Sequence, residues 1–122
     1  MDAFPGAYVM KDVAITLPAM NAGNPWDPAD NPDPYIAIAV DGTVAVSSTP
    51  ANNTLMQTFP GPFDITLGIN AALSVTIYDE DGATDERAFE CRAMPVTAAQ
   101  LRSGSISCTA AEGSVAFQIS AK

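Results

Sequence analysis

The chain has 122 residues, 48 % of them apolar, with 14 acidic residues, 5 basic residues and no histidine, for a formal charge of −9. One domain with one core is expected at this length, and nucleic acid is excluded as a partner because no Lys or Arg cluster exists to neutralise phosphates. The same balance excludes a basic patch for anionic lipid headgroups, and the missing histidine removes the commonest general base and the His-based zinc sites.

No apolar run approaches the ~20 residues of a membrane span. The start, MDAFPG, lacks a basic segment followed by an apolar one, so no signal peptide is expected; a mature form or an excised domain of an exported protein would look the same. From there the chain reads as strands. Short runs alternate with period two, and Gly, Pro, Asn and Asp fall between them. Val13, Ile15 and Leu17 alternate with Ala14 and Thr16 in the first run. WDPADNPDPY (26–35) then leads into YIAIAVD (35–41), Asp41-Gly42 signals a tight hairpin, and TVAVSS (43–48) returns. A further run lies near 54–59, and FPGPFDITLG reads as a proline-broken edge or loop.

In ALSVTIYD, Leu73, Val75 and Ile77 point one way and Ser74, Thr76 and Tyr78 the other. RAFECRAM puts Phe89, Cys91 and Ala93 on one face. VTAAQLRSG reads as a single helical turn, capped by Thr97 and ended by Gly104. SISCTA and GSVAFQIS close the chain. About eight short strands separated by turn signals predict an antiparallel β-sandwich spanning 1–122 as one domain.

Cys91 and Cys108 are too few for a zinc cage. Their midpoint falls in the connecting segment 96–103, which suits two positions facing each other on a hairpin, at disulfide distance. Closing that loop would contribute about 3 kcal/mol and imply an oxidising compartment: periplasmic, secreted or cell-surface. Two buried thiols facing one core are the alternative.

The acids are unevenly placed. Asp27, Asp30, Asp33, Asp79, Glu80, Asp81, Asp85 and Glu86 fall in two short windows. Two carboxylates ~4 Å apart repel by about 4 kcal/mol at an effective dielectric of 20, so crowding without Lys or Arg is unfavourable unless a cation joins them. Oxygen ligands of irregular geometry suit calcium better than magnesium. Residues 79–90 also carry Asp at the first and third and Glu90 at the twelfth position of an EF-hand loop. The glycine there is fourth rather than sixth, and both flanks read as strands. A cadherin-like linker site built on DNPDP would leave the second window unexplained. Loops whose acids simply face water are the plain alternative.

DPYIAIAV at 33–40 and VTIYDED at 75–81 resemble the "SDPYVKV" strand start and the "V-Y-D-x-D" run of the C2 domain family, and Asp27 precedes Asp33 by the family's usual interval of six. The resemblance implies a β-sandwich that binds calcium at one end and often docks on phospholipid. Strand placement resembles the family's circularly permuted, type II arrangement. Carried over, the ligands are Asp27 and Asp33 from the first loop and Asp79, Asp81 and Asp85 from the third. The family's last third-loop aspartate would fall at Arg87, so Asp85 or Glu86 takes that role. Neither the family's "NPVW" segment nor its lysine-rich strand has a counterpart, so any lipid contact must run through calcium.

Trp26 is either an anchor dipping into a membrane interface, helped by Met20 and Pro25, or a ring packed under the loop. Asp30 and Asn31 bind a second ion or cap the turn. Arg87 pairs locally with Glu86 or Glu90. Nothing supplies a nucleophile with its base or a phosphate-binding glycine loop, so a non-enzymatic module is expected. Its target is a phospholipid surface, or another protein or neighbouring domain if calcium only stiffens it. Asp79→Asn together with Asp81→Asn is expected to abolish the calcium response and, by removing repulsion, to leave apo stability level or raised.

Overall fold

The computed structural model describes residues 5–19, 32–80 and 86–122. Their elements, in order, are β1 (Gly6–Thr16), β2 (Pro34–Val40), β3 (Thr43–Ser47), β4 (Met56–Phe59), β5 (Phe63–Leu67), β6 (Leu73–Asp79), β7 (Glu86–Ala93), α1 (Ala98–Ser103), β8 (Ser105–Ala110) and β9 (Gly113–Ala121). They form two antiparallel sheets, one ordered β4-β1-β9-β8 with β5 also on β1, the other β3-β2-β6-β7.

The proline-broken run is one edge lane in two pieces. Phe59 to Met56 pair with Val13 to Thr16, and Leu67 to Phe63 pair with Gly6 to Met10. Between the pieces lies Pro60-Gly61-Pro62. Gly61 has φ 73°, and a Cβ there would sit 2.9 Å from the Phe63 nitrogen and 3.0 Å from the Met10 carbonyl oxygen, so the chain turns back onto β1 only with glycine. Counting β4 and β5 as one lane gives the expected eight-lane sandwich, four lanes to a sheet. One strand precedes the first aspartate window and three follow the second.

Alternation sets the core. Met10, Val13, Ile15 and Leu17 face inward from the β1 side, Ile36 and Ile38 from β2, Leu73, Val75 and Ile77 from β6, and Val115, Phe117 and Ile119 from β9; all are buried. The inward period breaks between Met10 and Val13 because the β1–β9 register shifts between Lys11 and Ala14, with Asp12 at φ 52°. Asp41-Gly42 makes the tight β2–β3 turn, both residues at positive φ. Asp41 Oδ1 also accepts from the Ala72 N–H (2.9 Å), tying this turn to the start of β6.

The helical turn forms as expected. Thr97 Oγ1 accepts from the Gln100 N–H (3.1 Å) and the Gln100 side chain accepts from the Thr97 N–H (2.9 Å), a complete capping box; Gly104 ends the turn in the left-handed region, φ 77°. Cys91 and Cys108 do form a disulfide, with Cα atoms 5.5 Å apart, but they do not sit on a hairpin. Cys91 is on β7 and Cys108 on β8, edge strands of different sheets. The α1 turn carries the chain from one sheet to the other, and the disulfide staples the two layers along that side. Among the described residues no helix is long and apolar enough to cross a membrane.

Candidate metal centre

The strand directions bring three connections to one end of the sandwich. The Leu17 N–H donates to the Leu55 carbonyl (2.8 Å), Thr54 N–H to the Pro32 carbonyl (2.9 Å), and Glu80 N–H to the Asp33 carbonyl (3.0 Å). The bases of segments 18–33, 48–55 and 80–85 are thereby fastened together.

Asp33 and Asp79, 46 residues apart in sequence, meet here. Pro34 is the register partner of Asp79, and the Asp33 N–H donates to Asp79 Oδ1 at 3.0 Å. Asp79 is 1 % exposed, so its carboxylate is buried at this end of the sandwich. One residue further into the sheet, Tyr35 and Tyr78 stack on the outer face, with centroids 5.3 Å apart, and pack the β2–β6 register that positions both aspartates.

Asp33 has a second grip that its sequence neighbours do not signal. Its Oδ1 accepts from the Asn53 N–H at 2.7 Å, and Asn53 stands at φ 53°, a conformation that Asn tolerates better than most residues. The 48–55 segment is therefore a third wall of this end. The sequence signal is the Asn52-Asn53 pair between two strands, a turn composition with amide oxygens to spare.

Asp27, Asp81 and Asp85, together with Asp30, Trp26, Met20 and Pro25, lie outside the described residues, as does the side chain of Glu86. Among the described residues no group of three or more His, Cys, Asp or Glu side chains is placed to hold a metal. Two of the five expected ligands, Asp33 and Asp79, are thus placed together, and the other three are not described. Residues 12–86 contain eleven Asp or Glu and not one Lys or Arg, so no basic side chain from that stretch can neutralise Asp33 and Asp79. Arg87, the first basic residue after that stretch, pairs with Glu90 at 3.6 Å, and Arg92 pairs with the same carboxylate. The Arg87 side chain is 62 % exposed, so its pair contributes little.

No family model and no curated protein matches the chain. Solved structures do. A structure described as that of a C2 domain superposes with TM-score 0.74 at 14 % identity, covering 94 % of this chain and 96 % of its own. A C2 domain of plant extended synaptotagmin 1 gives 0.72 at 13 %, covering 97 % and 95 %. Human GIVD cytosolic phospholipase A2 gives 0.70 at 15 %, covering all of this chain but 17 % of that enzyme. A calcium-bound pair of C2 domains of extended synaptotagmin 2 gives 0.70 at 14 %, covering 95 % and 46 %. The protein has a C2-like fold. At these identities the likeness speaks to the fold, and the site must be argued from its own residues.

Proposed function

We propose that this protein is a non-catalytic calcium-binding module whose loaded end docks on a phospholipid surface. One observation carries the reading: Asp33 and Asp79, distant in sequence, share one end of the sandwich, and the Asp33 N–H is bonded to the Asp79 carboxylate. Asp79 heads the DED run, so Asp81 follows it by two residues, and Asp27 precedes Asp33 by six. Asp27, Asp33, Asp79, Asp81 and Asp85 would hold the ion. Bound calcium would supply the positive charge that this acidic end lacks and offer coordination positions to phosphate oxygens. The chain's own part is to bring Asp33 and Asp79 to one end of the sandwich on hydrogen-bonded strand ends. The calcium-bound extended synaptotagmin 2 structure supports the general reading through the shared fold.

The cross-sheet disulfide favours a second reading. A stapled sandwich suits an oxidising compartment, where calcium would stiffen a secreted or surface domain that contacts another protein or a neighbouring domain. Co-sedimentation with phosphatidylserine/phosphatidylcholine vesicles separates the two. Binding in calcium that is lost in chelator is expected; equal sedimentation with and without vesicles in calcium favours the structural role.

A further inference from the structure

Asn52 is followed by Asn53 and Thr54, and no other asparagine of the chain begins Asn-x-Thr or Asn-x-Ser. The middle residue is not proline, so the triplet is an acceptor for N-linked sugar, a modification of surface loops in secreted chains. A triplet alone is a weak signal, and the structure adds to it twice. The Cys91–Cys108 disulfide belongs to an oxidising compartment, the kind in which such sugars are attached. Asn52 also precedes both cysteines, so during synthesis it emerges before that bridge can close. The fold then puts Asn52 where a sugar can leave it. Asn52 and Asn53 are exposed, between β3 and β4. The segment is fastened by its neighbours: the Ala51 N–H donates to the Pro34 carbonyl (2.8 Å), the Asn53 N–H to Asp33 Oδ1 (2.7 Å) and the Thr54 N–H to the Pro32 carbonyl (2.9 Å). None of these bonds uses the Asn52 side chain. Residues 42–63 form the longest stretch of the chain without Asp, Glu, Lys or Arg, and Met56 stands 68 % exposed at its centre. A hydrated sugar on Asn52 would shield that uncharged surface.

We propose that Asn52 carries an N-linked oligosaccharide, attached before the 48–55 segment docks. Its Nδ2 attacks the anomeric carbon of an oligosaccharide carried on a polyprenyl diphosphate. The nitrogen–carbon bond forms, the carbon–oxygen bond to the diphosphate breaks, the polyprenyl diphosphate leaves and the amide gives up one proton. The Thr54 hydroxyl, part of the recognised triplet, is engaged in the finished fold: it donates to the Met56 carbonyl (2.7 Å) and accepts from the Met56 N–H (3.2 Å). The triplet is therefore open to a transferase while the chain is still extended, and folding then leaves the sugar at the surface. Asn52 adjoins Asn53, whose N–H is bonded to Asp33, so the sugar rises from the end that holds the candidate metal centre. Its consequence rests on the phospholipid reading above. The modified chain keeps its carboxylates and its calcium response, but a bulky solvated group beside them holds a bilayer away. Glycosylation thereby commits the secreted form to the second reading, a domain stiffened by calcium and kept off the membrane.

Secretion of the chain from eukaryotic cells behind a secretory leader tests this through the intact mass of the product. A mass above that of the polypeptide by one oligosaccharide, removed by peptide N-glycosidase, is expected. Asn52→Gln and Thr54→Ala should each lose it, and Thr54→Ser should retain it. Secreted, folded wild type at the bare polypeptide mass overturns the proposal, as does glycosidase-sensitive sugar that persists in Asn52→Gln. Co-sedimentation with phosphatidylserine/phosphatidylcholine vesicles in calcium reads the consequence: the glycosylated chain should stay in the supernatant and Asn52→Gln should sediment. Equal sedimentation of both overturns the shielding role. If neither sediments, the phospholipid reading fails, while the mass still decides the sugar.

Discussion

Replacing Asp79 by Asn should abolish the calcium response and leave the apo protein nearly as stable, whereas Asp79→Ala should abolish the response and also weaken the apo fold. The two substitutions separate charge from hydrogen bonding. Asp79 Oδ1 accepts from the Asp33 N–H in a position 1 % exposed. An Asn oxygen can accept that bond while the negative charge is removed. Ala leaves the part-buried Asp33 N–H without its acceptor, a cost of about 1 kcal/mol. In wild-type protein, calcium at 100-fold excess over its dissociation constant should stabilise by about 2.7 kcal/mol if only the folded state binds. Thermal melts in calcium and in chelator read all of this. A wild-type melting temperature identical in both, or an Asp79→Asn chain still raised by calcium, contradicts the assignment. Asp79 is thus an acceptor as well as a charge, and Asn, unlike Ala, replaces the acceptor while removing the charge.

Removing the disulfide, by Cys91→Ala with Cys108→Ala or by reduction, should cost about 3 kcal/mol, on the order of 10 °C in melting temperature. The closed loop spans 17 residues of sequence and crosses from the β7 edge of one sheet to the β8 edge of the other. The staple thus restrains separation of the layers along one whole side, and Cys91 packs in the core at 2 % exposure. β7 also pairs with β6, whose last residue is Asp79, so a loosened edge reaches the candidate site through one strand. Denaturant unfolding of oxidised and reduced protein measures the effect. Equal midpoints would show that packing alone holds the layers.

Much of this molecule is legible in its sequence where a local rule acts alone. Thr97, Gln100 and Gly104 cap α1 as their chemistry dictates, Asp41-Gly42 turns the hairpin, and the apolar alternation of 73–77 and 113–119 faces the core. The meeting of Asp33 with Asp79 is legible because both acids end apolar runs that must pair. What escapes is set by contacts between distant segments. The first half of β1 is hidden by its register shift at Lys11 and Asp12, which breaks the period. The cysteines look like hairpin partners because spacing alone cannot tell a hairpin from a crossing between layers. Asn53 looks like ordinary turn chemistry until Asp33 is seen to accept its N–H.

Isothermal titration of calcium into the chelator-stripped protein tests the central claim most directly. Saturable heat with defined stoichiometry in the wild type, absent after Asp79→Asn, is the predicted result. Heats no greater than dilution would leave the two aspartates as loop fasteners and contradict a metal centre at this end of the sandwich.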